Sequence, residues 1–343
     1  MKKLLNTLYI LSEDSYCRLD GENVVVVKED DSTARFPLHT LEGIVCFSYR
    51  GASPRLMGAC AQRDIDFSFF TPSGRFLAAV AGESRGNVLL RRQQYRLADD
   101  AAASCRIARG FVLGKVYNSR AVLERARRDH PQRVDVAALG RASQALAQAL
   151  PQISEETDLE SLRGLEGTAA LQYFGVMDEL ILQGREAFRF DSRTRRPPRD
   201  PVNAMLSFAY VLLARNCASA LSAVGLDPYV GFLHRDRPGR TSLALDLMEE
   251  QRSVLADRFV LTVINNRVLQ PRHFDQQENG ACLLTEEGRR AFLTAWQQRK
   301  QEVLTHPFLG EKIPWGLLPH VQALLLARTL RGDLDAYPPF LWK

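Results

Sequence analysis

Residues 157–182 read TDLESLRGLEGTAALQYFGVMDELIL. Leu159, Leu162, Glu166, Ala169, Tyr173, Val176 and Leu180 recur at three- and four-residue intervals, the period of one helix face. Thr157 and Glu160 have capping-box spacing, so the pattern predicts a helix over 157–182. Every member of the stripe is apolar or aromatic except Glu166. A carboxylate on a buried stripe costs several kcal/mol unless it is paired or metal-bound. A buried salt bridge to an arginine accounts for it, and so does a metal-binding or catalytic role. Gly164 and Gly167 weaken the helix by ~1 kcal/mol each. Their smallness leaves room for a ligand or another backbone beside Glu166.

The same period extends in both directions. Segments 87–97, 101–128, 134–150, 201–224, 242–265, 285–304 and 315–331 all read as helices, and a hairpin is expected near 274–284 around Asn279-Gly280. Upstream the pattern changes. Short β-branched and aromatic runs lie at 7–11, 24–27, 43–47, 66–70 and 76–80, with turn signals at Asp20-Gly21 and Pro72-Ser73-Gly74. One helix interrupts them at 53–62, with Ser53 as cap and Pro54 in the first turn. At ~100–200 residues per domain, a chain of 343 residues suggests two. The expected class is α+β: an N-terminal β-sandwich-like module over 1–85, then a mostly α-helical catalytic domain over 86–343.

The formal net charge of +5 is only mildly basic, so nucleic-acid binding has to be argued from where the arginines cluster. None of the six cysteines forms a C-x-x-C pair, which excludes a zinc ribbon or a dithiol redox motif. Scattered single cysteines suggest a reducing, cytoplasmic setting. The opening MKKLLNTLYILSEDSY lacks a small-residue cleavage site, and no uninterrupted apolar run reaches ~18 residues, so no signal peptide and no membrane segment are expected. The absence of P-loop, G-x-G-x-x-G and G-x-S-x-G patterns argues against nucleoside triphosphatases, dinucleotide enzymes and α/β-hydrolases.

A second constellation occupies 225–250, GLDPYVGFLHRDRPGRTSLALDLMEE. His234 closes an apolar run, as a core histidine would. Asp246 and Glu249 lie three apart on one face of the following helix, as a solvated acidic first turn would. Together with Glu166 they supply one imidazole and two or three carboxylates, with no thiolate. That donor set suits Mg²⁺ or Mn²⁺, with zinc as the alternative. Such an ion polarises a phosphoryl oxygen for attack by an oxygen nucleophile. Arginines flank these residues. The irregular segment 185–200 holds Arg185, Arg189, Arg193, Arg195, Arg196 and Arg199, and the turn after His234 holds Arg235, Arg237 and Arg240. Guanidinium forks suit phosphate oxygens, although a solvated basic loop would look the same.

LRGLEGTAALQYF at 162–174, DPVNAMLSFAY at 200–210 and the whole of 225–250 resemble the CRISPR-associated integrases of spacer acquisition, the first protein in the Cas numbering. The resemblance covers essentially the whole chain, and the wording of LDPYVGFLH and LALDLMEE is most like the type I, subtype C branch. It implies a metal-dependent DNA endonuclease and integrase, which inserts spacer DNA into a repeat array by 3′-hydroxyl attack on a repeat phosphodiester. It implies Glu166, His234 and Glu249 as ligands of Mg²⁺ or Mn²⁺, and Asp246 beside them in the catalytic set. Asn203 and Ser207 would line the site. The implied partners are double-stranded and branched DNA, a second copy of the chain, and a dimer of the small second Cas protein bridging two homodimers. An iron–sulfur Cas nuclease that trims the substrate is a further implied partner. Dimer and partner contacts would fall to residues 1–85. The rival readings are a non-catalytic DNA-binding scaffold subunit and a general repair nuclease for branched DNA.

Overall fold

The computed structural model describes residues 5–82 and 87–343. The domain boundary expected at 85/86 lies outside the described residues. The N-terminal part holds seven described strands and one helix: β1 Thr7–Ile10, β2 Tyr16–Asp20, β3 Asn23–Val27, β4 Thr33–Pro37, β5 Gly43–Cys46, α1 Pro54–Gln62, β6 Asp66–Phe70 and β7 Phe76–Ala79. β2, β3 and β4 form an antiparallel sheet. The other sheet has the order β1-β5-β6-β7, with β1, β5 and β6 parallel and β7 antiparallel. The two-sheet expectation thus needs one correction. The larger sheet is mixed, because α1 is a crossover between the parallel strands β5 and β6. Ser53 caps α1, accepting the Leu56 N–H at 3.2 Å, and Pro54 follows it as expected.

Strand alternation sends the two faces of the larger sheet to different cores. Ile44, Cys46 and Phe67 pack with Val24, Val26 and Leu56 inside the N-terminal part. Val45, Phe47 and Phe70 belong to the helical core. There Phe47 meets Phe208 with ring centroids 6.2 Å apart.

The helical part comprises α2 Val88–Asp99, α3 Ala101–Asp129, α4 Val136–Glu155, α5 Leu159–Phe174, α6 Pro201–Ala223, α7 Ser242–Gln251, α8 Arg258–Asn265, α9 Glu286–Gln301 and α10 Leu318–Arg331. Two short hairpins intervene, β8 Phe274–Gln276 with β9 Cys282–Leu284, and β10 Val303–Thr305 with β11 Lys312–Pro314. α6 is apolar and long enough to cross a membrane by composition, but 61% of its apolar window is buried among the other helices. The six cysteines are buried and unpaired.

Three helices differ from expectation in ways that matter for the site. α5 is capped by Asp158, which accepts the Ser161 N–H at 2.7 Å, rather than by Thr157. Glu160 instead turns outward to Arg163 and Arg235. α5 also stops at Phe174, and Met177–Leu180 is a separate 3-10 turn. The expected helix 242–265 is interrupted by a π-turn over Arg252–Asp257, which displaces the register between α7 and α8. α4 continues through Pro151 to Glu155, where the fully buried Ile153 anchors its last turn.

Candidate active site

α3, α5 and α7 converge on one buried charge cluster. A Cβ at Gly114 of α3 would lie 2.6 Å from the Glu250 Cβ of α7, so this close crossing needs glycine. One residue further along, Lys115 extends between the other two helices. Its ammonium is ion-paired with Glu166 of α5 and lies 2.7 Å from Oε2 of Glu249 on α7. Arg252, on the π-turn, lies 2.9 Å from the same oxygen. Lys115 is 6% exposed and Glu249 4%. Burial pushes the Glu249 carboxyl upward, but Arg252, Lys115 and His234 outweigh it and hold the group near 2. Two cationic groups thus lie within 2.9 Å of one buried oxygen, Glu249 Oε2.

His234 is held by the turn that precedes α7. The fully buried Asp246 accepts the backbone N–H groups of Phe232 and Leu233 on Oδ2, at 2.7 and 2.9 Å, and that of His234 on Oδ1 at 2.9 Å. Oδ1 also lies 2.6 Å from His234 Nδ1. An ionised carboxylate only accepts, so Nδ1 donates to Asp246, and in the neutral imidazole the lone pair is then on Nε2. The turn can wrap this tightly because residue 231 is glycine; a Cβ there would lie 2.9 Å from Asp246 Oδ2 and 2.8 Å from Ser242 Cβ. α5 is tied to the same turn, since Arg163 donates to the Leu233 carbonyl at 2.7 Å. From α2, the buried Gln94 donates to the Asp227 and Val230 carbonyls at 2.8 and 2.9 Å. These bonds fix His234 relative to Glu166 and Glu249.

Among the described residues, no three histidine, cysteine or acidic side chains close around one point. Glu166 and Glu249 instead flank a single positive centre, the Lys115 ammonium. That arrangement fits a cation: two carboxylates face one charge, and the His234 imidazole, whose Nε2 has no partner among the described residues, is a third donor nearby. Asp246 stands behind His234, with both its oxygens occupied. Glu166 is only half-buried rather than buried on its stripe, and its partner is a lysine and not an arginine.

The arginines divide into two groups. Arg193 is turned inward. It donates to Asn203 Oδ1 at 2.7 Å and to Ser207 Oγ at 3.0 Å, and its guanidinium sits 5.2 Å from the Tyr210 ring centroid. Burial pulls its pKa down. Asn203 is fully buried and spends its amide on Ser192, Asp200, Thr194 and Arg193, so it knits the 192–200 segment to α6 instead of facing a ligand. Arg193 and Asn203 are thus engaged within the chain, and the half-buried Ser207 accepts from Arg193. Arg195, Arg196, Arg199 and Arg237 are exposed and Arg240 is half-buried. Among the described residues, none of these five makes a side-chain hydrogen bond or ion pair within the chain. Arg235, also exposed, is ion-paired with Glu160 at 2.7 Å.

The family model for CRISPR associated protein Cas1 matches residues 8–298. The chain belongs to the Cas1 family. The CRISPR-associated endonuclease Cas1 1 of Chlorobaculum tepidum is 50% identical over 343 residues and all of both chains. Cas1 2 of Rhodospirillum rubrum is 50% identical over 347 residues, again covering all of both. This Cas1 chain is accordingly a CRISPR-associated endonuclease. A Cas4 exonuclease/Cas1 endonuclease fusion of Geobacter sulfurreducens is 34% identical over 97% of the chain and 60% of the fusion. Among solved structures, a casposase bound to integration product shares the Cas1 fold with a TM-score of 0.85 at 22% identity, covering 98% of this chain and 94% of that one. A Cas6-RT-Cas1–Cas2 complex matches with a TM-score of 0.80 at 23% identity, covering 98% of this chain and 36% of that one.

Sequence reading missed Lys115 and Arg252 of this Cas1 chain. Lys115 carried the same signal that exposed Glu166, a lone charge on an apolar helix stripe, in FVLGKVYNS. Arg252 stood three residues after Glu249, the spacing of an ion pair on one helix face.

Proposed function

We propose that this chain is a metal-dependent DNA strand-transfer enzyme that joins the 3′ end of spacer DNA to a CRISPR repeat. Glu166, Glu249 and His234 Nε2 would hold Mg²⁺ or Mn²⁺. The observation that carries this reading is the convergence of Glu166 and Glu249 on one buried positive centre, beside an imidazole whose other nitrogen is committed to Asp246. Hard oxygen donors with a single imidazole suit those two ions. When bound, the ion supplies Lewis acidity to a phosphoryl oxygen.

The chain's own residues do the rest. Asp246 holds the imidazole in one tautomer and orientation. Arg195, Arg196, Arg199, Arg237 and Arg240 present free guanidinium groups to the phosphates of the duplex. A 3′-hydroxyl of the incoming strand attacks the repeat phosphorus and loses its proton. The bond from phosphorus to the 3′-oxygen of the repeat strand breaks, and that oxygen leaves as a new 3′-hydroxyl. With water in place of the 3′-hydroxyl, the same geometry hydrolyses DNA.

Residues 1–85 would serve as the dimerisation and partner domain and 86–343 as the catalytic one. The exposed Phe76 and Leu77 on β7, at the free edge of the larger sheet, support a pairing surface there. A homodimer bridged by the small second Cas protein is supported by the fold shared with a Cas1–Cas2 assembly. A trimming iron–sulfur nuclease partner is supported by the fusions of exonuclease and Cas1 in one chain. A cytoplasmic location is supported by the six cysteines, none of them in a disulfide.

Glu166→Gln and His234→Ala test the assignment. With Mn²⁺ and a repeat-bearing target, each should lose strand transfer by roughly 10- to 100-fold or more while keeping its fold and its DNA affinity. Full activity in a folded variant overturns the metal assignment.

A further inference from the structure

A lysine does not ordinarily lie 6% exposed among helices, and Lys115 does so with its ammonium set between the two carboxylates assigned above to the metal. This inference rests on that assignment. An ammonium and a divalent ion cannot both occupy the space between Glu166 and Glu249. Their charges repel, and each needs the same oxygens.

The structure gives Lys115 somewhere else to go. On the side of α3 facing α5 and the π-turn lies a cavity of about 10 Å³. Its lining is largely apolar, but Lys115, Ser119, Arg252, Ser253 and Asp257 bring polar groups to it. Ser253 Oγ is buried there with no hydrogen-bond partner, and Asp257 supplies a buried carboxylate. The volume is about that needed for one water, which is also the size of an ammonium head. Arg252 stays on Glu249 Oε2 at 2.9 Å, so the carboxylate keeps one fixed cation whichever way Lys115 points.

We propose that Lys115 is the resident counter-ion of the metal-free site. It yields to the divalent ion and withdraws into the small cavity beside Ser253 and Asp257. Lys115 is then a positioning residue that sets the metal affinity of the site. It keeps Glu166 and Glu249 paired, and the three helices packed, while no ion is bound. The competition makes metal loading weaker than the donor set alone would allow.

The test is Mn²⁺ binding by the full chain, read as free Mn²⁺ in an electron paramagnetic resonance titration, with no DNA present. Lys115→Met should bind Mn²⁺ at least roughly tenfold more tightly than the parent, equivalent to about 1.4 kcal/mol. Lys115→Arg, which keeps the charge, should not. Equal or weaker binding by Lys115→Met overturns the proposal. Glu166→Gln serves as the control for the site itself. If it binds Mn²⁺ as the parent does, the ligand assignment fails, and the inference with it. Should Lys115→Met not fold without metal, Mn²⁺-soaked crystals of the parent chain decide. The ammonium should leave Glu249 for the cavity, and an ammonium still 2.7 Å from Glu249 Oε2 beside a bound ion overturns the proposal.

Discussion

His234 Nδ1 lies 2.6 Å from Asp246 Oδ1, and that contact determines which imidazole nitrogen is left to act. The same carboxylate accepts three backbone N–H groups, so it builds the turn as well as orienting the ring. Asp246→Ala should cost about 3–5 kcal/mol in urea denaturation, because four donors, two of them fully buried, lose their acceptor. Asp246→Asn keeps the shape but sets an amide against a donor. Its Mn²⁺ affinity should fall roughly 10- to 100-fold, measured by titration of the folded variant. Unchanged affinity would mean that the ring is oriented by other groups.

Gly231 is the steric condition for that turn. A methyl group there would press on Asp246 Oδ2 and Ser242 Cβ, both within 3.0 Å, and neither belongs to a flexible side-chain end. Gly231→Ala should lower stability by about 1–3 kcal/mol and strand transfer more than proportionately, as the imidazole moves with its turn. Paired melting curves and strand-transfer rates check this; a variant matching the parent in both would show that α7 shifts to make room.

The two kinds of arginine around 185–200 should separate experimentally. Replacing Arg195, Arg196 and Arg199 by Ala should leave stability unchanged and weaken DNA binding. The slope of log K against log salt should shrink by up to about 0.9 for each phosphate no longer neutralised. Arg193→Ala should instead lower the melting temperature, since Asn203 and Ser207 lose their donor. Salt-series binding and thermal melts on the same samples distinguish them, and a stable Arg193→Ala with a reduced salt slope would reverse the assignment.

The helices were legible because their apolar stripes are long, and Ser53 and the Asn279-Gly280 turn declare themselves through local chemistry. β2 and β4 were missed; β4 alternates half-buried and exposed residues without a strong apolar run, and its partner β3 supplies the buried face. The parallel pairing of β5 with β6 is a tertiary choice that no strand announces. In the site, Glu166 stood out because a charge on an apolar stripe has to be compensated. Its partner was invisible because Lys115 lies 51 residues away on another helix. The π-turn at Arg252–Asp257 was hidden for a similar reason: the apolar period continues across it, while the wider turn begins only at Arg252, after its i,i+3 pairing with Glu249.

That π-turn also places Asp257, 1% exposed, under the Tyr210 hydroxyl, which donates to it at 2.5 Å. Burial raises the Asp257 carboxyl from its ordinary 3.8 to about 6, outweighing the Tyr210 bond and the charge of Arg252. The folded chain therefore holds a proton that the unfolded chain has lost between those two values. Stability from this group is full below the unfolded pKa, declines as pH rises through the window, and is level above it. The decline amounts to roughly 3 kcal/mol at 1.36 kcal/mol per unit. Asp257→Asn cannot ionise, and its amide oxygen still accepts from Tyr210. The stability difference between variant and parent should therefore move in the variant's favour by roughly that amount between about pH 4 and pH 7. Urea denaturation of both proteins across that range reads the difference directly. A constant gap would mean that Asp257 ionises at its ordinary value, in which case Arg252 is balanced between two carboxylates, Glu249 and Asp257, throughout the working range of the enzyme.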